Sequence, residues 1–153
     1  MKTLDIEWKH LEKDGKTCDR CAETGATLRK VIDDLTGKLA ARDIRVTFTE
    51  TRLPERESPQ SNNIFFNGMP LEDLLPGTQV IANHCVSCSD LCSRGTSCRA
   101  VRIGDITYEA IPEFMIRQAA LQAVGVRASS QFTPNRRRPA APAASEPHVI
   151  LSE

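Results

Sequence analysis

Apolar and polar residues alternate at the start of the chain. Leu4, Ile6 and Trp8 fall on one side of Asp5, Glu7 and Lys9, the period-two pattern of a half-buried strand over residues 3–11. His10 continues the alternation at the strand's end, where a histidine is ordinarily solvated or hydrogen-bonded. Further on the period lengthens. Cys21, Gly25, Leu28, Ile32, Leu35 and Leu39 recur at spacings of four and three, which places them on one face of a helix that should end near residues 41–43. A hydroxyl cap from Thr17 would leave Cys18 at the first helical position. Gly25 weakens such a helix by about 1 kcal/mol relative to alanine, so its presence predicts close packing against the sheet. Gly37 marks an earlier place where the helix would break.

Residues 44–51 alternate strictly between β-branched or aromatic and polar side chains, which predicts a second strand. Strand, helix and strand over about 45 residues make a right-handed βαβ unit with parallel strands. Residues 53–60 are polar, contain Pro54 and Pro59, and read as a loop. Asn63, Ile64, Phe65 and Phe66 form a short strand closed by an Asn67-Gly68 turn, and residues 71–75 form a helical turn ended by Pro76-Gly77. Residues 99–103 and 106–109 flank Gly104-Asp105 as a hairpin. Pro112 opens a last helix whose apolar residues are Met115, Ile116, Ala119, Ala120 and Ala123, and Gly125 ends both helix and domain. From Val126 onward Ser, Pro and Ala dominate and no apolar period survives, so residues 126–153 read as a disordered tail. Arg136, Arg137 and Arg138 read there as a solvated basic run, and Val149, Ile150 and Leu151 as a frayed terminus. The fold class is α/β, with one domain over residues 1–125.

Composition narrows the chemistry. With 153 residues and 40% apolar content the chain can bury a core, and 20 basic against 20 acidic residues leave no net field to attract nucleic acid or a membrane. No run approaches the length of a membrane span, and the acidic residues near Met1 interrupt any signal-peptide core, so the expected compartment is the cytoplasm. Six cysteines in a reducing compartment point to redox or metal chemistry rather than structural disulfides.

The first pair is Cys18 and Cys21, a Cys-x-x-Cys between a strand and a helix. The unpaired N–H groups and positive dipole of a helix N-terminus stabilise a thiolate there. Cys18 is the outer, more exposed member and the expected nucleophile, while Cys21, one turn on, is the resolving thiol. The same spacing also suits half of a soft-metal site, or simple packing. Arg20 would lower a thiolate pKa and Asp19 raise it, so the net effect has no sign at this stage.

A second cluster follows, Cys85, Cys88, Cys92 and Cys98, with spacings of two, three and five. Four thiols meet the count for a tetrahedral site of zinc or another soft ion, and a segment this poor in apolar residues would gain order from a cross-link. A redox relay between Cys85 and Cys88 fits almost as well, since the spacings match neither a zinc ribbon nor a ferredoxin run. His84 could add a ligand, while Glu50, Arg52 and Glu109 read as solvated charges.

The Thr17-Cys18-Asp19-Arg20-Cys21 segment after its strand resembles the entry to the thioredoxin fold. With Ser61-Asn62-Asn63-Ile64-Phe65-Phe66-Asn67-Gly68, Pro70-Leu71-Glu72-Asp73 and Tyr108-Glu109-Ala110-Ile111-Pro112-Glu113, the chain is similar over roughly residues 3 to 124 to an uncharacterised prokaryotic family of thioredoxin-like proteins, a domain of unknown function. The resemblance implies a thioredoxin-like mixed sheet flanked by helices, here with a cysteine-rich insertion at about residues 83–98. It also implies thiol-disulfide oxidoreduction by Cys18 and Cys21 on a protein or small-molecule disulfide, with no cofactor required. Where such proteins carry a cis-proline facing the dithiol, this chain has Asn62, a departure that alters substrate positioning and removes one barrier to metal binding. The alternative function is binding or delivery of a soft metal or metalloid ion (Zn, Hg or As) by the cysteine clusters.

Overall fold

In the computed structural model residues 1–85, 91–92 and 97–127 are described. Cys88 and the expected tail beyond residue 127 lie outside them. Strand β1 (Lys2–Leu11) runs parallel to β2 (Ile44–Leu53), in register from Lys2 against Ile44 to Leu11 against Leu53, and helix α1 (Asp19–Ala40) connects them. Strand β3 (Asn63–Phe66) returns antiparallel on the other side of β1, with Trp8 opposite Ile64 and Ile6 opposite Phe66, and β4 (Met69–Pro70) closes the sheet in the order β2-β1-β3-β4. The β3–β4 turn needs two left-handed residues, which Asn67 (φ 51°) and Gly68 (φ 79°) supply. Asn67 also ties the turn to β1, because its side-chain oxygen accepts from the Asp5 N–H at 2.8 Å.

The period-two pattern decides which face is covered. Leu4, Ile6, Trp8 and His10 are buried, whereas Thr3 and Asp5 on the opposite face are exposed, and there Asp5 accepts from Thr47 and Glu7 from Thr51. On the buried face α1 lays down Cys21, Leu28, Val31, Leu35 and Leu39. Gly25 lets the helix come close: a Cβ there would sit 2.4 Å from Cη2 of Trp8. Gly37 does not break α1, which continues to Ala40. The segment read as a loop is a 3₁₀ helix (Glu55–Gln60), because Pro59 lacks only an N–H and buried Ser58 accepts from Ser61 N–H at 2.9 Å.

A second sheet, β5-β6-β7, is antiparallel: β5 (Thr78–His84), β6 (Ser97–Ile103) and β7 (Ile106–Tyr108). Strand β5 was not expected from the sequence, and it turns the cysteine segment into the connection of a β5–β6 hairpin. The short helix α2 (Leu71–Leu74) joins the sheets, and α3 (Glu113–Ala123) packs beside α1, tied by Lys30 to Glu113 at 3.2 Å and by Arg117 to Asp34. Gly125 ends α3 at φ 69°. The architecture is thus α/β, with a mixed sheet flanked by helices. No helix among the described residues is long and apolar enough to cross a membrane.

Candidate functional site

The helix begins one residue later than a Thr17 cap would have it. Thr17 donates its hydroxyl to the Leu11 carbonyl at 2.8 Å, so Cys18 becomes the N-cap, with φ −74° and ψ 163°. Its Sγ accepts from the Cys21 N–H at 3.5 Å, the position a capping oxygen usually takes. Sulfur at the cap is therefore bonded to an orphan backbone donor at the N-terminal end of α1, a setting that favours a thiolate. Cys18 is not an exposed residue, however. It is 3% accessible and Cys21 is 0%, because both pack into the same core cluster as Trp8 and Leu11.

Cys21 faces the corner before β3. Its Sγ lies 3.3 Å from Ser61 Oγ, and Ser61 Oγ in turn accepts from the Leu11 N–H at 2.9 Å. The bond to Cys18, burial and the charge on Cys18 push the Cys21 thiol well above its ordinary range, against an opposing contribution from Ser61, and Cys98 adds to the rise.

Asn62, the residue in the cis-proline place, adopts φ 67° on a trans backbone. Its side chain holds three elements together: Oδ1 accepts from Trp8 Nε1 at 3.2 Å, and Nδ2 donates to Thr24 Oγ1 at 3.0 Å and to the Glu109 carbonyl at 3.4 Å. Thr24 Oγ1 also accepts from the Ile111 N–H at 3.1 Å and donates to the Arg20 carbonyl at 3.0 Å. A buried amide this well satisfied is a fixed part of the fold rather than a movable contact.

Described cysteines of both clusters are buried in one core. Cys85, Cys92 and Cys98 are 1%, 6% and 1% accessible and belong to the same buried cluster as Cys18 and Cys21. Arg20 forms the bridge: Nη1 donates to Asn83 Oδ1 at 2.8 Å, and Nη2 pairs with Glu109 Oε1 at 3.1 Å. Asn83 lies directly opposite Cys98 in the β5–β6 ladder, so the two side chains leave the hairpin on the same face. The next pair along, His84 and Ser97, points the other way and is exposed, which turns His84 away from Cys98. Cys92 lies near Lys13, whose ammonium is held above its ordinary value first by its bond to Glu55, with the Cys92 charge adding to the effect.

A further pair went unread in the sequence. His10 is 2% accessible, stacks on Trp8 with ring centroids 3.9 Å apart, and places Nε2 2.7 Å from Glu50 Oε1. Its Nδ1 lies 3.2 Å from the Thr17 hydroxyl and 3.1 Å from the Leu11 carbonyl. Glu50 and Glu109, expected to be solvated, are both engaged, one with His10 and the other with Arg20 and Asn83. The available signal was parity. In the parallel register Trp8 pairs with Glu50 and His10 with Arg52, so all four share a face.

These contacts give an N-capping sulfur, a second thiol one turn away, and at least three further thiols within the same core. An uncharacterised protein of Archaeoglobus fulgidus (strain ATCC 49558 / DSM 4304 / JCM 9628 / NBRC 100126 / VC-16) is 37% identical over 112 residues, which cover 71% of this chain and 78% of that protein. No solved structure matches the chain. The family model whose description reads Domain of unknown function (DUF2703) matches residues 4–120, and the chain belongs to that family.

Proposed function

We propose that the chain is a thiol-disulfide oxidoreductase of thioredoxin-like type, in which Cys18 attacks and Cys21 resolves. The observation that carries this reading is the N-capping Cys18 sulfur, bonded to the Cys21 N–H and one helical turn from the Cys21 thiol. The sheet order β2-β1-β3-β4, with β1 and β2 parallel and β3 reversed, is compatible with the thioredoxin fold. In the first step the Cys18 thiolate attacks one sulfur of a protein or small-molecule disulfide and expels the other as a thiolate. Cys21 then gives up its proton to that leaving thiolate and attacks the Cys18 sulfur, releasing the second substrate thiolate. Two electrons have passed to the substrate, Cys18 and Cys21 are joined, and a dithiol reductant of the kind a cytoplasm supplies restores them. Because Cys18 is buried, a local movement precedes attack.

A disulfide-reduction assay with each single variant tests the roles. Cys18→Ser should lose at least ~100-fold in turnover, while Cys21→Ser should accumulate the mixed disulfide, visible by intact mass. Two variants that turn over like the wild type would end the redox reading at this pair. A second reading, capture and delivery of a soft metal or metalloid ion, is favoured by one observation, the burial of sulfurs from both clusters in a single core cluster.

A further inference from the structure

We propose that Ser61 is a catalytic residue of the resolving step, its hydroxyl donating a hydrogen bond to the Cys21 sulfur once that sulfur has lost its proton. The inference rests on the thiol-disulfide reading above and adds a third side chain to it.

The hydrogen-bond count at Ser61 carries the argument. A serine hydroxyl has one hydrogen to give and two lone pairs to receive with. The Leu11 N–H, at the end of β1, donates into Ser61 Oγ at 2.9 Å and takes up one lone pair. Cys21 Sγ lies 3.3 Å from the same oxygen, within reach of a hydrogen bond to sulfur. Ser61 is 0% accessible, so water does not compete for its hydrogen, and no other acceptor for it is found among the described residues. While Cys21 is a thiol, either group can be the donor. A Cys21 thiolate has no hydrogen, and Ser61 then becomes the donor by necessity.

The hydroxyl is held in place before any charge forms. The Ser61 N–H donates to the Ser58 carbonyl at 2.9 Å, which fixes the residue at the end of the 3₁₀ helix. On its other side Asn62 is fastened to Trp8 on β1 and to Thr24 on α1. A donor that needs no rearrangement at the moment of reaction stabilises developing charge most effectively where water is excluded. Cys21 needs that help. The bond to Cys18, burial and the charge on Cys18 all raise its thiol, and Ser61 acts against them.

The step balances without a proton passing through Ser61. The Cys21 proton goes to the substrate thiolate released in the first step. The Cys21 sulfur, its charge held by the Ser61 O–H, then attacks the Cys18 sulfur of the mixed disulfide. The Cys21–Cys18 bond forms, the bond from Cys18 to the substrate sulfur breaks, and that sulfur leaves with the electron pair as a thiolate. A hydrogen bond to a charged acceptor is about twice as strong as one to a neutral acceptor, so Ser61 favours the attacking thiolate over the thiol before it.

The test uses the full chain, reduced, mixed with dithiobis(nitrobenzoate) and followed by rapid-quench intact mass with peptide mapping of Cys18. In the wild type the adduct on Cys18 should form and then decay to the Cys18–Cys21 disulfide at a rate independent of reagent concentration. Ser61→Ala should slow that decay at least ~10-fold, the loss expected for a hydrogen bond to a charged group. Formation of the adduct reads how readily the buried corner opens, whereas decay reads the resolving step alone. A corner that was merely loosened would speed formation and leave decay unchanged, and that result would overturn the proposal. A second measurement needs no substitution. In wild-type protein the Ser61 hydroxyl proton should exchange slowly enough to give its own NMR resonance, and that resonance should move on oxidation of Cys18 and Cys21; one that ignores oxidation would overturn the proposal too. A wild-type adduct that never decays would instead overturn the redox reading, and this inference with it.

Discussion

Gly25→Ala separates two physical effects of opposite sign. In a solvated helix interior the change stabilises by about 1 kcal/mol, because alanine loses less backbone entropy than glycine. Here the new methyl group would lie 2.4 Å from Trp8 Cη2 and 2.8 Å from Cζ3, about 1 Å inside carbon contact distance. The indole cannot retreat cheaply. It donates to Asn62 at 3.2 Å and stacks on His10, and both partners are buried. Overpacking costs about 1–3 kcal/mol, and weakening the Trp8–Asn62 bond adds about 1 kcal/mol more. Net of the propensity gain, the variant should lose about 2 kcal/mol, or roughly 5–10 °C in Tm. Gly37→Ala is the control on the same helix, since a Cβ there meets nothing within 4 Å. It should gain about 1 kcal/mol. Urea and thermal unfolding of both variants would measure the difference. Equal stabilisation of the two would refute the claim that Gly25 exists to admit Trp8.

Two other expectations follow from the same region. Burial raises the Glu50 carboxyl, but the His10 hydrogen bond and charge, with Arg29 and Arg52, overcome it and hold the carboxyl below its ordinary value. Its stabilising effect is therefore complete above an unfolded value near 4.5 and is lost as pH falls through the folded value. Glu50→Gln should flatten this acid limb of the stability curve and cost about 1–2 kcal/mol at neutral pH, measured by urea midpoints between pH 3 and 7; an unchanged limb would show that other carboxylates set it. At Asn62, alanine loses both the amide contacts and the tolerance for φ 67°, whereas glycine loses only the contacts, so Asn62→Gly should be more stable than Asn62→Ala by about 1 kcal/mol in the same assay.

The elements that were legible are those whose own residues carry a period. Strands β1 and β2, helices α1 and α3, the Asn67-Gly68 turn and the β6–β7 hairpin all follow from local alternation or helical spacing. Strand β5 was hidden because its residues are only half-buried or exposed and Gln79, Asn83 and His84 dilute its apolar signal. The helix cap was misread by one residue because Thr17 has a competing acceptor, the Leu11 carbonyl, which becomes available only when β1 and the turn are formed. The site itself was half legible. The Cys18–Cys21 spacing announced a thiol pair, but its burial in one core with Cys85, Cys92 and Cys98 depends on packing between residues more than sixty positions apart.

Burial of the Cys18 and Cys21 sulfurs changes what a rate at this site means. A reagent reaches them only from an open form, so the observed rate is the intrinsic thiolate rate multiplied by the population of that form, and each 1.4 kcal/mol of opening energy slows it about tenfold. The dithiol becomes a reporter of local stability. Alkylation of Cys18 should then quicken in urea well below the unfolding midpoint, with a slope that measures how much of the chain must loosen to expose one sulfur atom.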